Sequence, residues 1–578
     1  MTGLLARASP TQVRQLPESE LPALCAELRD AIVEVCGQVG GHLGASLGAV
    51  ELIVALHRVY KSPTDRIVFD VGHQAYAHKL LTGRAERMAT LRQADGIAPF
   101  LDPRESEHDA FAAGHACTAV SVALGMLEAK QRLGRPGSVV AVVGDGALTG
   151  GLTFEGINNA GGSGLPLAVV LNDNQMSISA NVGAISTLLR TPSARSFFEA
   201  LGFSYLGPLD GHDLGALIAA FREARRANRP MLIHVVTQKG RGFAAAEADE
   251  RTRGHAMGPY EWRDGKLVRS RGGKRTFSEA FADALEVAMA RDLRVVAVTP
   301  AMVEGSAWTR LQARFPERVY DVGIAEQHAV TFSAGLAAQG MRPVCALYST
   351  FLQRAYDQIV HDVCLPGLPV VFAVDRAGLV GADGATHQGA YDLAILRPLP
   401  GLDLTAPVFG EDVAPMLEAA LARGGPTAIR FPRGTLPEMP KDVSASPVAG
   451  ARWLQRDPEA ELSIVTLGPL GMAARAAALG SRWNVLDARW LHPLDDGALA
   501  EVARSGSILV VEEGTTRGGL GSAVLEWLAA RRLTVQVRLL GLPDAFVRHG
   551  DARVQRAALG LDADGIQKVA RELAAHGG

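Results

Sequence analysis

Val142-Val143-Gly144-Asp145-Gly146-Ala147 and, further on, Leu171-Asn172-Asp173-Asn174 decide how this sequence is read. The first is a β-branched run that stops in a tight glycine turn. The second is another apolar run, and it ends in amide and carboxylate oxygens. The separation of 29 residues between Asp145 and Asn174 leaves room for one strand–helix–strand unit that returns both residues to the same sheet edge. Hard oxygen ligands at such an edge suit Mg²⁺, which keeps octahedral geometry and commonly sits on a diphosphate. Gly146 lets the backbone come close to a phosphate, and the following helix offers free N–H groups to the anion. Asp and Asn also end strands as plain turn formers. Gly-Asp-Gly alone favours that bland reading; Asn-Asp-Asn at this distance reverses it.

The chain has 578 residues, too many for one core and enough for about three domains of ordinary size. With 48% hydrophobic and 21% charged residues it has the balance of a folded protein. A net charge of −3 gives no electrostatic case for nucleic acid or an anionic membrane as partner. The cysteines (25, 36, 117, 345 and 364) are odd in number and form no CxxC pair, which argues against a disulfide framework and a structural zinc site. No run approaches the roughly 20 apolar residues of a membrane span, and residues 1–28 lack a continuous apolar signal region. A reducing, cytoplasmic setting is the expectation.

Short β-branched runs recur at Ser138–Val143, Leu167–Leu171, Met231–Thr237, Arg294–Thr299, Pro369–Asp375, Leu462–Leu467 and Ser507–Glu512. Alanine-rich amphipathic stretches lie between them, at Ala119–Arg132, Leu214–Asn228, Phe277–Arg291 and Asp412–Arg423. Strands alternating with helices of this length predict an α/β fold of mostly parallel sheets covered by helices on both faces. Glu261–Lys274, rich in Gly, Lys and Arg, reads as a linker, and Pro437–Gly450 as a second break. The expected division is 1–265, a linker over 266–275, 276–436, a linker over 437–449, and 450–578.

Further motifs surround the opening pair. Gly41-His42-Leu43-Gly44-Ala45-Ser46, Asp70-Val71-Gly72-His73-Gln74-Ala75-Tyr76 and Gly114-His115-Ala116-Cys117-Thr118 precede it. Asp210-Gly211-His212-Asp213, Thr237-Gln238-Lys239-Gly240 and Gly323-Ile324-Ala325-Glu326-Gln327-His328 follow. Tyr348-Ser349-Thr350-Phe351-Leu352-Gln353-Arg354-Ala355-Tyr356-Asp357-Gln358 and the stretch from Asp375-Arg376-Ala377-Gly378 to Asp383-Gly384-Ala385-Thr386-His387-Gln388-Gly389 complete the series. Over nearly the whole chain this series resembles the 1-deoxy-D-xylulose-5-phosphate synthase family of transketolase-like thiamine-diphosphate enzymes.

The resemblance implies a transketolase-like fold of three domains, diphosphate-binding, pyrimidine-binding and C-terminal. It implies a homodimer with thiamine diphosphate and Mg²⁺ as cofactors. The implied reaction joins pyruvate to D-glyceraldehyde 3-phosphate with loss of CO₂, through a thiamine-diphosphate enamine, and feeds isoprenoid-precursor, thiamine and pyridoxal biosynthesis. Asp145, Asn174 and the Met176 carbonyl match the Mg²⁺ ligands. Gly114, His115, Ala116, Gly146, Ala147 and Lys239 match cofactor-binding positions, and Phe351 stacks on the pyrimidine or serves as a core aromatic. Glu326 matches the glutamate that bonds the aminopyrimidine, and His42, His73 and His387 match active-site histidines. Tyr348, Arg354, Arg376, Asp383, His387 and Arg433 fall at substrate-binding positions, the arginines toward the acceptor phosphate. For Arg354 an exposed ion pair is an equal alternative.

Two departures stand out. Gly254 replaces the aromatic residue that precedes His255 in the family. Ile185–Gly202 is all that remains of a region where the family has several dozen more residues, so the lid expected there is absent. Fold and cofactor alone also admit a transketolase, a 2-oxoacid dehydrogenase component or a non-catalytic cofactor-binding paralogue.

Overall fold

The computed structural model describes residues 3–177, 180–255, 257–263, 266–269, 273–443 and 448–575. The β-branched runs become buried strands because apolar side chains on both faces need cover on both. In the first part of the chain these are β1 (Arg66–Phe69), β2 (Val139–Gly144), β3 (Ala168–Asp173), β4 (Ser204–Asp210) and β5 (Met231–Val236). They form one parallel sheet in the order β1-β2-β3-β5-β4. Its crossover helices include Ala119–Arg132, Gly151–Ser163 and Leu214–Arg226. β2 and β3 pair through Gly144 and Asn172, so the Gly-Asp-Gly and Asn-Asp-Asn turns leave the same sheet edge side by side.

A hairpin follows, β6 (Tyr260–Arg263) against β7 (Lys266–Arg269). All of it but Tyr260 falls in the Glu261–Lys274 stretch that composition reads as linker; 264, 265 and 270–272 of that stretch lie outside the described residues.

The remaining strands build two further sheets. β8 (Val295–Thr299), β9 (Val319–Asp321), β10 (Arg342–Tyr348), β11 (Val371–Asp375), β12 (Asp403–Thr405) and β13 (Thr427–Arg430) belong to the second. β14 (Arg452–Gln455), β15 (Leu462–Thr466), β16 (Trp483–Asp487), β18 (Ser507–Thr515) and β19 (Gln536–Leu542) form the third. β17 (Trp490–His492), between β16 and β18 in sequence, crosses to pair antiparallel with β12 in the second sheet. The second sheet therefore runs β17-β12-β13-β11-β10-β8-β9.

The chain divides into two units, Met1–Gly272 with Gly323–Ala325, and Gly273–Val322 with Glu326–Gly578. The first holds the first sheet; the second holds the other two, sharing one apolar cluster that runs from Val298 and Phe372 through Leu404 to Leu486 and Ile508. Among the described residues no helix is long and apolar enough to cross a membrane.

Candidate active site

In the first unit, Asp145 follows β2 directly, its N–H donating to the Asn172 carbonyl at 3.2 Å. Its Oδ2 accepts from Asn181 Nδ2 at 2.7 Å, while Oδ1 is buried without a hydrogen-bond partner. Burial first, then the Asp173 carboxylate against it, pushes the Asp145 carboxyl well above the ordinary range. Asn174 Oδ1 accepts from the Met176 N–H at 3.1 Å, across a turn in which Gln175 takes φ +62°. A Cβ on Gly146 would lie 2.9 Å from the Ser177 Cβ, so glycine is what lets the two turns close on each other.

These residues fit Mg²⁺ on a diphosphate. A buried carboxylate oxygen with no donor, beside a second carboxyl, is where a divalent cation relieves the charge. Among the described residues no trio of His, Cys, Asp and Glu is arranged to hold a metal. One carboxylate, one amide and one backbone carbonyl instead leave half of an octahedral shell to phosphate and water, as Mg²⁺ prefers.

Gly114 sits at φ +144°, and Cys117 takes φ +75° in the loop that carries His115 and Ala116. Asp70 holds that loop: Oδ1 accepts from the Cys117 N–H at 2.8 Å and Oδ2 from the Ala119 N–H at 3.0 Å. Both bonds fix the first turn of the helix Ala119–Arg132. Reading the sequence for site residues passes over Asp70, although its Asp-Val-Gly-His motif is a signal.

His42, His73 and His255 meet with ring centroids 5.3–5.7 Å apart, and Phe100 lies 5.3 Å from His42. The His42 N–H donates to Tyr76 Oη at 3.1 Å, and Ser46 Oγ donates to the His73 carbonyl at 3.0 Å. Burial, reinforced by the Lys239 charge, draws His73 down to about 3 and His255 well below its ordinary value. Neutral imidazoles each keep one N–H donor and one acceptor nitrogen. Gly254 in place of an aromatic residue leaves His255 within this cluster.

Lys239 is 4% exposed and donates to the Ser177 carbonyl at 2.7 Å, so it is not a solvated surface lysine. Burial draws its ammonium down to about 7. The loop before it is braced by His212, whose Nε2 accepts from the Gln238 N–H at 2.9 Å and whose Nδ1 lies 3.0 Å from Glu51 Oε2. That contact accounts for the Asp-Gly-His-Asp motif.

In the second unit, Glu326 opens the helix Glu326–Ala338 at 1% exposure. Arg354 Nη1 donates to its Oε2 at 3.1 Å. The ion-pair alternative for Arg354 is therefore present, but largely buried and made with Glu326. Tyr348 stacks on Phe351 with centroids 5.7 Å apart, and His387 meets Phe351 edge-on at 5.4 Å. The Arg376 guanidinium lies 4.4 Å over the Tyr348 ring and donates to Ser278 Oγ at 3.0 Å and Asp375 Oδ2 at 2.5 Å. Arg433 is half-exposed, 3.4 Å from Asp383 Oδ2. Reciprocal backbone bonds between Gly378 and Gly389, at 2.8 and 2.7 Å, close the neck of the loop that presents Asp383 and His387.

A family model described as 1-deoxy-D-xylulose-5-phosphate synthase matches residues 4–196 and 188–237. The transketolase pyrimidine-binding domain matches 273–439, and the transketolase C-terminal domain matches 451–566. A 1-deoxy-D-xylulose-5-phosphate synthase of Myxococcus xanthus is 71% identical over 582 residues, covering 100% of both chains. One of Anaeromyxobacter sp. is 49% identical over 619 residues, covering 98% of this chain and 97% of its own. The two stretches of the synthase match meet at 188–196, inside Ile185–Gly202, so the shortening falls where the family pattern is interrupted. The Myxococcus protein aligns end to end with almost no added length and so shares the short form.

Proposed function

The chain belongs to the 1-deoxy-D-xylulose-5-phosphate synthase family, and from that premise we propose how its residues condense pyruvate with D-glyceraldehyde 3-phosphate, releasing CO₂ and forming 1-deoxy-D-xylulose 5-phosphate. Thiamine diphosphate, when bound, supplies the electron sink that decarboxylation of a 2-oxo acid needs. Asp145, Asn174 and the Met176 carbonyl hold its Mg²⁺, and the Gly114–Ala116 and Gly146–Ala147 backbones with Lys239 receive the diphosphate. Glu326 bonds the aminopyrimidine, with Arg354 aiming the carboxylate. Phe351 offers its ring to the pyrimidine. His42 and His73, joined by His255, hold and pass protons beside pyruvate as neutral bases. Arg376 and Arg433 clamp the acceptor phosphate with Tyr348, and Asp383 and His387 receive the sugar hydroxyl and aldehyde.

The observation that carries this reading is the buried, unpartnered Oδ1 of Asp145 beside Asp173, at the sheet edge where its Oδ2 is held by Asn181. The test is turnover by the purified chain with thiamine diphosphate and Mg²⁺. CO₂ and deoxyxylulose phosphate from pyruvate plus glyceraldehyde phosphate are expected. Ketol transfer from xylulose phosphate without CO₂ release would overturn it in favour of a transketolase.

The three-domain division proposed is a diphosphate domain to about residue 265, a pyrimidine domain over 276–436 and a C-terminal domain from 450. One sheet for each supports it. The working form is proposed as a homodimer, as the family resemblance implies, checked by light scattering. A cytoplasmic setting is in keeping with the cysteines, which form no disulfide among the described residues.

A further inference from the structure

His234 is a histidine in the middle of a buried parallel strand, where a β-branched residue would be ordinary. It is 1% exposed, and both ring nitrogens are engaged. Nε2 lies 2.9 Å from Asp173 Oδ2, and Nδ1 lies 2.6 Å from Tyr205 Oη. The neutral tautomer that serves both contacts donates from Nε2 to Asp173 and accepts from the tyrosine hydroxyl at Nδ1. Asp173, His234 and Tyr205 come from β3, β5 and β4, which are neighbours in that order. Leu171 pairs with His234 and Tyr205 with Leu232, so the period of two puts all three side chains on one face of the sheet.

The row does not end at Asp173. Its Oδ1 accepts from the Gln175 N–H at 3.1 Å, pinning the turn that presents Asn174 and Met176, and its carboxyl lies against that of Asp145. At the other end, Arg195 lies 5.1 Å over the Tyr205 ring and donates to the Tyr205 carbonyl at 3.1 Å. Phe198 stacks on the same ring at 6.1 Å. Arg195 and Phe198 belong to the helix Ser193–Ala200, part of the shortened segment.

We propose that Tyr205, His234 and Asp173 are positioning residues for the Mg²⁺ ligands, a row of hydrogen bonds across the sheet that fixes the Asp173–Met176 turn and is anchored by the helix Ser193–Ala200. The inference rests on the assignment of Asp145 and Asn174 as ligands. A buried imidazole is tolerated in a core whenever its nitrogens are satisfied, so burial alone is neutral. What distinguishes His234 is its partner: one carboxylate holds the imidazole, the ligand turn and the neighbourhood of Asp145 together. Without the Nε2–H donor, Asp173 keeps only the turn amide and faces Asp145 unrestrained. Partners of this kind around metal ligands typically change metal affinity about 10- to 100-fold when removed.

The experiment is calorimetric titration of Mg²⁺ into the full chain with thiamine diphosphate but no substrate, so that turnover plays no part. His234→Leu is expected to weaken Mg²⁺ about tenfold or more, and Tyr205→Phe severalfold. His234→Gln, which can donate to Asp173 and accept from Tyr205, should recover most of the affinity. Asp145→Ala is the control. If it binds Mg²⁺ as the wild type does, the ligand assignment fails. If it loses Mg²⁺ while His234→Leu and Tyr205→Phe bind normally, the positioning row fails. A lowered melting temperature with unchanged Mg²⁺ affinity also overturns it, because that is the mark of a merely packed histidine. Should His234→Leu not fold, Tyr205→Phe and His234→Gln decide on the same readout.

Discussion

The carboxylate proposed to meet one ring nitrogen must be aimed, and among the described residues Arg354 is the cation paired with Glu326. Its helix fixes the Cα, and Arg354 at 3.1 Å fixes the side chain. Glu326→Ala is expected to bind thiamine diphosphate yet lose hydrogen–deuterium exchange at the thiazolium C2. Arg354→Ala should slow that exchange about tenfold or more, since a charged hydrogen bond is worth about 1.5–3 kcal/mol. Exchange at the wild-type rate in Glu326→Ala would remove the residue from the chemistry. The proposed acceptor clamp allows a ranking. Arg376 is held by Asp375, Ser278 and the Tyr348 face, whereas Arg433 is half-exposed with one longer contact. Arg376→Ala should therefore weaken glyceraldehyde phosphate by about ten- to a hundredfold and Arg433→Ala by less, with pyruvate little affected. Measuring KM for unphosphorylated glyceraldehyde checks the assignment; an equal loss there means the arginines do not read the phosphate.

Among the elements, the strands that β-branched runs announce are those buried on both faces, and β2, β3, β5, β8, β11, β15 and β18 all were legible in that way. Some that escape are edge or partly solvated strands, whereas β10, β13 and β16 lie buried inside their sheets and escape because β10 and β16 each carry a single β-branched residue and β13 is only four residues long. β19 and β4 keep most positions half-buried or exposed, and the hairpin β6–β7 has the composition of a linker. The candidate ligands could be named from sequence because turns at the ends of neighbouring parallel strands fall together by topology. Asp70 and His212 stand in motifs the sequence displays, but what they hold, like the row from Tyr205 to Asp173, could not be read there, since each acts across strands or loops far apart in sequence. The segment Ile185–Gly202 shows the same limit. Sequence reveals only that it is short; the structure shows Leu189, Ala194 and Phe198 buried in the core, so the remnant is a packed buttress. A family-length insertion there should leave the fold intact and change how well water is excluded. The ratio of acetaldehyde to deoxyxylulose phosphate formed from pyruvate is expected to fall in the lengthened chain. An unchanged ratio at equal turnover means that the missing residues do not protect the reaction.

On the scale of the whole molecule, the second unit keeps its two sheets together by an apolar cluster, by the β12–β17 pairing and by buried charges. Asp412, from the helix Gly410–Ala422, receives Arg452 of β14 together with Arg489, which donates at 3.2 Å. Asp487, at the end of β16, is fully buried beside them; its Oδ1 accepts from the Arg489 N–H at 3.1 Å, while Oδ2 has no partner. Burial, and then the charge of Asp412, raises the Asp487 carboxyl to about 7. The consequence for stability has the opposite sign to the usual salt-bridged aspartate. Between about pH 4 and 7 the unfolded chain releases this proton while the folded chain keeps it. Folding therefore loses stability as pH rises through that window, by up to about 1.4 kcal/mol per unit, and the loss is complete above about 7. Asp487→Asn keeps the shape and an acceptor for the Arg489 N–H but has no proton to lose. Its melting temperature should equal or fall below that of the wild type near pH 4 and exceed it near pH 8. Melting curves across that range check the sign. A difference that stays constant with pH means Asp487 is ionised in the folded protein throughout, with Arg489 and Arg452 carrying its charge.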